Sequence, residues 1–269
     1  MTLEPTTVDV PAHLNGARPA PAPRAAAVRV EGVSQIFERG AAPVLEGVDL
    51  TVAPGEFVCL VGASGCGKST LLSLIAGLIE PTTGWIEVSA QRPALMFQEP
   101  ALLPWLTASG NVELALRARG VGRAERRVEA RRLLRVVNLE GHGGKRVHEL
   151  SGGMRQRVAL ARALAQDSSV LLMDEPFAAL DAITRDVLHQ ELARVWAEQR
   201  LSIVFVTHNV REAARLGERV VLMGSRPGRI VRQWQVDLPQ PRTIEAPGVG
   251  ALAAEITREL HREISRHGH

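Results

Sequence analysis

The stretch CLVGASGCGKST, residues 59–70, constrains the fold more than any other part of this 269-residue chain. It fits the pattern G-x-x-x-x-G-K-[ST], with an apolar strand-like run before it and a helix-like run after it. Glycines let the backbone turn tightly so that successive N–H groups face an anion, and the positive end of the following helix dipole strengthens that field. A strand, a phosphate-binding loop and a helix in this order predict an α/β domain that holds a nucleotide.

The lysine of this loop is informative because the chain uses arginine almost everywhere else, with lysine only at Lys68 and Lys145. A compact ammonium fits inside a backbone cradle, whereas a guanidinium is a wide planar fork. We expect Lys68 to reach the β- and γ-phosphates, Ser69 to bind Mg²⁺ through its hydroxyl, and a helix to run from Lys68 to about Leu78. The predicted cradle consists of Gly62, Ala63, Ser64, Gly65, Cys66, Gly67, Lys68, Ser69 and Thr70.

Two acidic residues follow the apolar run in SSVLLMDEPFAALD. We expect Asp174 to lie beside Ser69 and to hold Mg²⁺ with it. Glu175 then stands where a water molecule could attack the γ-phosphate in line, and a carboxylate within hydrogen-bond reach can orient or deprotonate that water. The alternative is a pair of solvated acids at a strand end, which the phosphate loop upstream disfavours.

A second apolar run, SIVFVT, is followed directly by His208. A lone histidine is more often structural than catalytic. However, ligands of α/β sheets collect at the carboxyl ends of the strands, so the hypothesis here is a contact from His208 to the γ-phosphate.

The chain divides into three segments by composition and pattern. Residues 1–26 are rich in Pro and Ala and predict a disordered arm. From 27 to 241, strand-like runs alternate with helical ones, which predicts buried parallel strands, and about 99–165 is predicted to form an inserted helical subdomain. Residues 242–269 predict a short helical tail whose apolar residues lie four apart, at Leu252, Ile256, Leu260 and Ile264.

Composition argues against several classes of protein. A net charge of +3 is small for a nucleic-acid binder, and the helix-like RAERRVEARRLLR has interleaved glutamates and no aromatics for base stacking. We interpret it as a solvated helix face and expect no nucleic-acid partner. Two cysteines are too few for a disulfide framework or a zinc site. No apolar run approaches the roughly 18 residues that span a bilayer, so we expect a soluble cytosolic protein, in which any membrane role would have to come through a partner.

The stretch LSGGMRQRVALARAL, residues 150–164, places two glycines at the start of a helix-like run, where they weaken it. With the motifs above, in this order, it resembles the ATP-binding subunits of ABC transporters over about residues 28–241. LSGGMRQ matches the signature motif of that family, Gln98 in MFQEP the Q-loop, and AALD, which ends at Asp181, the D-loop. Asp174 matches the Walker B acid, Glu175 the catalytic glutamate and His208 the switch histidine. Phe37 falls where an aromatic, often tyrosine, stacks on adenine; this chain has no tyrosine.

The resemblance implies a P-loop fold with a mostly parallel core sheet, an antiparallel β subdomain and an inserted helical subdomain. It also implies that two copies pair head to tail, with each ATP on the phosphate loop of one and under the signature motif of the other. In that arrangement Gln98 joins Ser69 and Asp174 at the metal, and Lys68, Gln98, Glu175 and His208 serve hydrolysis. Further nucleotide contacts would come from Ser151, Gly152, Gly153, Gln156 and Asp181.

The same resemblance implies an importer in which separate permease subunits span the membrane, with this subunit at the cytoplasmic face of the inner membrane. The sequences of residues 98–116 and 223–242 are similar to those of ATPases that import nitrate, sulfonates or taurine, whose cargo an extracytoplasmic binding protein delivers. The apolar run at 102–106 would be a socket for a permease helix. The alternative is a soluble ABC ATPase of the repair or translation type. Such proteins usually carry coiled-coil or zinc insertions or a second ATPase unit, which this chain lacks.

Overall fold

The computed structural model of the chain describes residues 26–38, 40–90 and 92–267, without the side chain of His267. The arm predicted for residues 1–26 lies almost wholly outside the described residues. In the part described, strands and helices form two β-sheets, a helical insertion and a terminal helix.

The central sheet has six strands in the order β5-β6-β7-β3-β8-β9. All neighbours are parallel except β8 and β9, so the predicted mostly parallel core sheet is confirmed. The middle strands β3 and β7 are buried along their whole length, as expected for strands covered on both faces. The strands are β3 Phe57–Gly62, β5 Ala94–Met96, β6 Val170–Asp174, β7 Ser202–Val206, β8 Arg219–Gly224 and β9 Arg229–Gln235.

The second sheet is antiparallel, with the order β2-β1-β4, and matches the antiparallel β subdomain that was expected. Its strands are β1 Val28–Gln35, β2 Leu45–Val52 and β4 Thr83–Val88. Buried Val48, Leu50 and Val52 alternate with exposed residues along β2, because one face meets the core and the other meets water. The buried face belongs to one apolar cluster with Leu71, which lies on the helix that follows the phosphate loop.

Helix α1, Lys68–Ile75, is shorter than the predicted helix that ended near Leu78. Gly77 has a φ of +67° and the Leu78 N–H reaches back to the Ser73 carbonyl at 2.9 Å. A left-handed glycine with this reach-back bond terminates a helix, and the apolar pattern of the sequence does not reveal it.

The helical insertion contains α2 Ala108–Ala118, α3 Arg123–Val136, a 3₁₀ turn at Val147–Glu149, and α4 Gly152–Leu164. The arginine-rich α3 buries Leu133 and Leu134, while Arg132 pairs with Glu129 at 2.6 Å on its outer face. Two further helices alternate with the last parallel strands: α5 Ala182–Gln199 and α6 Val210–Leu216.

The terminal helix α7, Pro247–His267, follows the predicted apolar spacing only in part. Ile256 is fully buried, but Ile264 is 43% exposed, and buried Glu263 takes the inward position instead. A spacing of four drifts by about 40° at each step around a helix of 3.6 residues per turn, which carries the fourth residue off the buried face. Glu263 is paired there with Arg229 at 3.5 Å and Arg266 at 3.2 Å.

Candidate functional site

Three neighbouring parallel strands end at one edge of the central sheet and define the site. Asp174 at the end of β6 lies opposite Val206 of β7, and Val206 lies opposite Leu60 of β3. The Thr207 N–H binds the Leu60 carbonyl at 3.1 Å, and the Glu175 N–H binds the Val206 carbonyl at 3.0 Å. This register brings the loop after β3, the acids after β6 and the histidine after β7 to the same edge.

The phosphate loop closes around the ammonium of Lys68. The Lys68 Nζ donates to the carbonyls of Gly62 and Ala63, each at 2.9 Å, and the side chain is 6% exposed. Gly67, with a φ of +98°, precedes α1 in a left-handed conformation that glycine adopts without strain. A Cβ atom on Gly62 would lie 2.6 Å from the Met223 carbonyl oxygen, so the strand end also requires glycine.

The turn between β8 and β9 supports the back of this loop. The Gly228 N–H donates to the Val44 carbonyl at 2.9 Å, and a Cβ on Gly228 would stand 2.2 Å from the Cys66 carbonyl oxygen. The sequence analysis missed Gly228, although a Pro-Gly pair between two strand-like runs is a turn signal. Cys66 itself is buried, and burial raises the pKa of its thiol despite the nearby Lys68 charge.

Asp174 and Ser69 lie together, as the sequence predicted for two ligands of one metal. Burial raises the pKa of the Asp174 carboxyl, the neighbouring Glu175 charge adds to the rise, and a hydrogen bond from Ser69 and the Lys68 charge oppose it. A hydroxyl and a carboxylate form a set of hard oxygen donors, which suits Mg²⁺.

Glu175 and His208 are also in contact, with 3.0 Å between the Oε2 of Glu175 and the Nδ1 of His208. Glu175 has a φ of +44°, which is unusual for a residue other than glycine and marks a strained position of the kind found at active sites. The carboxylate is partly exposed and the imidazole is 65% exposed, so both can meet a ligand from solution.

Gln98 is exposed, and its backbone carbonyl accepts a hydrogen bond from the Gln156 Nε2 at 2.9 Å. The Gln156 side chain is 2% exposed and therefore does not face solvent in this structure. It joins α4 to the loop after β5, and this tie between Q-loop and signature helix was not foreseen from the sequence.

The two glycines of the signature motif differ in how closely other side chains pack against them. A Cβ on Gly153 would lie 2.4 Å from the Cγ2 of Thr184 on α5, whereas a Cβ on Gly152 would meet only Leu180 at an ordinary 3.5 Å. Ser151 caps α4 through a bond from the Met154 N–H at 3.3 Å, and both Ser151 and Gly152 are exposed. Packing against Thr184 explains why residue 153 is glycine. No contact among the described residues explains why residue 152 is glycine.

The D-loop is held by local contacts. Asp181 caps α5 by accepting from the Thr184 N–H at 3.0 Å, and that bond lowers the pKa of its carboxyl. Arg185 donates to the carbonyls of Phe177 at 3.2 Å and Leu180 at 2.5 Å, a contact with no local signal in the sequence.

Phe37 stands apart from these contacts, with its ring 60% exposed in the segment after β1. Among the described residues, no hydrogen bond joins Phe37 or residues 151–153 to the phosphate loop at 62–70. The structure thus brings together Lys68, Ser69, Asp174, Glu175 and His208, and no hydrogen bond of the described residues links the signature residues 151–153 to them.

Comparison with known proteins identifies the family of the chain. The family model described as ABC transporter matches residues 45–178. The Burkholderia pseudomallei (strain 1710b) protein named Taurine import ATP-binding protein TauB is 48% identical over 206 residues, covering 74% of this chain and 79% of the relative. The Nitrate import ATP-binding protein NrtD of Synechocystis sp. is 44% identical over 221 residues, covering 79% and 83%.

Solved structures give the same result. The dimeric structure of MJ0796, described as a bacterial ABC transporter cassette, superposes with a TM-score of 0.70 at 32% identity, covering 79% of this chain and all of the other. A second structure of that cassette, in a post-hydrolysis state bound to ADP and Pi, gives a TM-score of 0.69 at the same identity and coverage.

The chain belongs to the ABC transporter family, and within it to the subunits that bind and hydrolyse ATP. The P-loop fold expected from the motifs is confirmed. No helix in the described part of the chain is long and apolar enough to cross a membrane.

The packing of Gly153 gives a stability prediction. Gly153→Ala should lower the free energy of unfolding by about 1–2 kcal/mol, because overpacking against Thr184 outweighs the helix propensity that alanine gains. Thr184→Ser removes the clashing methyl and should restore the loss in the double variant. Gly152→Ala is the matched control and should unfold at the same denaturant concentration as the wild type or a higher one. Equal losses for the two glycines in urea titrations would contradict this account.

The raised pKa of Asp174 gives a prediction about pH. The folded chain holds this proton more tightly than the unfolded chain, so the ionised carboxylate costs stability near pH 7, and the cost fades as the pH falls through the raised pKa. Without nucleotide or divalent cation, Asp174→Asn should melt above the wild type at about pH 7, and the difference should narrow as the pH falls through the raised pKa of the carboxyl. Asp237→Asn, at an exposed carboxylate, is the control and should change little. A lower melting temperature for Asp174→Asn at neutral pH would show that the carboxylate is not destabilising.

Proposed function

We propose that the chain is the ATP-hydrolysing subunit of a membrane importer and works as a head-to-tail pair that encloses two ATP molecules. One observation carries the proposal: Lys68, Asp174, Glu175 and His208 meet at one sheet edge, while among the described residues the exposed Ser151 and Gly152 form no hydrogen bond with the phosphate loop. A single chain therefore holds one half of each of two sites.

Hydrolysis follows from the positions of the side chains. The Lys68 ammonium, which donates to two loop carbonyls, would transfer those bonds to β- and γ-phosphate oxygens. Mg²⁺, held by Ser69, Asp174 and Gln98, would neutralise charge on the phosphates. Glu175 orients a water molecule and takes its proton as the water oxygen bonds to the γ-phosphorus. The bond to the β-phosphate oxygen breaks, and ADP leaves with the electron pair.

His208 contributes an imidazole to this site, next to Glu175. Its Nδ1 bonds to Glu175, which leaves the Nε2 directed away from that carboxylate and available for the γ-phosphate. The bond fixes the ring and the base relative to each other, so both reach the reacting phosphate in a defined geometry. On the outer side of the nucleotide, Phe37 would stack on adenine with its exposed ring.

The pairing of two copies is supported by Gly152. Because none of the described residues requires glycine there, we take close approach by a ligand from outside the chain as the physical reason for the missing side chain. The exposed N–H groups at the start of α4, capped by Ser151, form an anion-binding helix end suited to the γ-phosphate of the partner's ATP. Gln156, which is turned inward, would reach that nucleotide only if its bond to Gln98 opens.

A permease contact is supported by two adjoining grooves of about 860 and 800 Å³ that share Ala90, Arg92 and Gln166. Exposed Phe97 borders the first and exposed Leu114 the second. Trp105 is 65% exposed nearby in the sequence, and its carbonyl is held by Arg146 at 2.7 Å. Apolar side chains around an open groove suit a short helix from a permease subunit.

The cargo class rests on similarity to the taurine and nitrate relatives. We infer a small anion or a related organic compound, delivered by an extracytoplasmic binding protein, with this subunit at the cytoplasmic face of the membrane. A soluble repair or translation ATPase is the second candidate and has no feature of the described chain in its favour.

The hydrolytic cycle is tested by two substitutions. Glu175→Gln should bind ATP, stop hydrolysis and accumulate a dimer in gel filtration, because the γ-phosphate that bridges the copies is no longer removed. Lys68→Ala should lose ATP binding measured by fluorescence, and Lys145→Ala, at the only other lysine of the sequence, should not. Hydrolysis at the normal rate by Glu175→Gln would refute the assignment of the base.

The transport role is tested by growth. A deletion strain is expected to grow poorly either on taurine or an alkanesulfonate as sole sulfur source, or on nitrate as sole nitrogen source. Wild type should restore growth and Glu175→Gln should not, because import requires hydrolysis. Normal growth on every source, combined with sensitivity to DNA damage or a translation defect, would favour the soluble ATPase instead.

A further inference from the structure

The helix that follows His208 is fixed by buried polar side chains that hydrolysis does not use directly. Helix α6 begins at Val210, two residues after His208, and both Glu212 and Arg215 on it are almost fully buried. Charged groups are rarely buried without partners, because removing them from water is costly unless they are paired and hydrogen-bonded.

Glu212 links α6 to the residue before His208. One carboxylate oxygen accepts a hydrogen bond from the Nε2 of buried His189 on α5, and the other accepts one from the Thr207 hydroxyl. The Thr207 oxygen in turn accepts from the Asn209 N–H at 3.0 Å. Both neighbours of His208 are therefore tied, directly or through one hydroxyl, to the same carboxylate.

The geometry also selects the tautomer of His189. Its Nε2 faces an acceptor-only carboxylate and must donate, while its Nδ1 lies 3.5 Å from the Nη1 of Arg215, which can only donate. A neutral imidazole with its proton on Nε2 satisfies both contacts. The ring also lies against Phe177 of the D-loop segment, with 5.6 Å between ring centroids.

The far end of α6 is held by Arg242, which follows the last strand. Its buried guanidinium donates to the carbonyls of Ala214 at 3.2 Å and Gly217 at 2.6 Å, at the C-terminal end of the helix. These carbonyls have no partner within the helix, so a cation there supplies hydrogen bonds and complements the helix dipole. Arg215 returns a bond to the Arg242 carbonyl at 3.1 Å and another to Asp186 of α5.

We infer that Glu212 and Arg242 are positioning residues for His208: they fix the two ends of α6 and thereby hold the imidazole against Glu175 for hydrolysis. The inference rests on the proposed roles of His208 and Glu175. It connects the segment after the last strand to the hydrolytic step, through one short helix, without any contact between Arg242 and ATP.

If Glu212 served folding alone, replacing it would affect the protein no differently from replacing another buried glutamate. The chain offers a matched control for this alternative. Glu191 on α5 is as buried as Glu212 and also has one partner for each carboxylate oxygen, Asn138 at 2.8 Å and Arg157 at 3.0 Å. None of its described partners lies on α6 or beside His208. Glu191→Gln should therefore lower stability much as Glu212→Gln does, without the effect on the rate.

The experiment measures kcat, the KM for ATP and the melting temperature of full-length variants. In Glu212→Gln the amide nitrogen cannot accept the bond from His189 or Thr207, so we expect kcat to fall about tenfold or more, with the KM for ATP within about twofold of wild type. Arg242→Lys keeps the charge but loses the guanidinium fork, and should lower kcat in the same sense by a smaller factor. Thr207→Val should also lower kcat, and Thr207→Ser, which keeps the hydroxyl, should recover most of the rate.

His208→Ala and Glu175→Gln separate this inference from the function on which it rests. If both abolish hydrolysis while Glu212→Gln and Thr207→Val retain the wild-type kcat, the positioning role is wrong and the hydrolytic assignment stands. If His208→Ala hydrolyses ATP at the normal rate, the assignment of His208 fails and the positioning role fails with it. An equal fall in kcat for Glu191→Gln and Glu212→Gln would show that both substitutions act through a general loss of folded structure. The positioning role of Glu212 would then be wrong. A fall confined to Glu212, Thr207 and Arg242, at unchanged KM, supports the inference.

Discussion

The parallel pairing of β7 between β3 and β6 is the constraint on which the rest of the structure depends. Parallel strands end at the same edge, so the register that sets Val206 opposite both Leu60 and Asp174 also places the phosphate loop, the two acids and His208 together. The residues involved are 62–69, 174–175 and 208, which are far apart in the chain. Their meeting costs little once the apolar strands are buried, because β3 and β7 are buried along their whole length.

Much of the site could be predicted from the sequence because each part has a local pattern. The loop needs glycines at fixed spacing, and the acids and His208 each follow an apolar strand, so short windows identify them. Gly153 shows the limit of such reasoning. The resemblance assigns it to a partner's phosphate, whereas contact with Thr184 already requires it. Thr184 lies 31 positions later on another helix, and no local pattern connects the two.

Helix α5 contacts three separate parts of the site, and no local sequence pattern predicts these contacts. Thr184 packs on the signature glycine, Arg185 holds the Leu180 carbonyl of the D-loop, and His189 reaches Glu212 behind the switch histidine. Three side chains within two turns of one helix thus contact the signature motif, the D-loop and α6.

Buried polar side chains fill the space behind His208, although apolar residues could have filled it as well. The polar side chains determine how precisely α6 is held. Replacing both partners of a buried hydrogen bond with apolar groups of the same shape can be nearly neutral or stabilising, so Glu212 and Arg242 are weakly explained by stability alone. A hydrogen bond fixes direction as well as distance, and a network with every member satisfied selects one arrangement of its helix. The imidazole of His208 must meet one oxygen of Glu175 at 3.0 Å, and a directional clamp on its helix provides that accuracy.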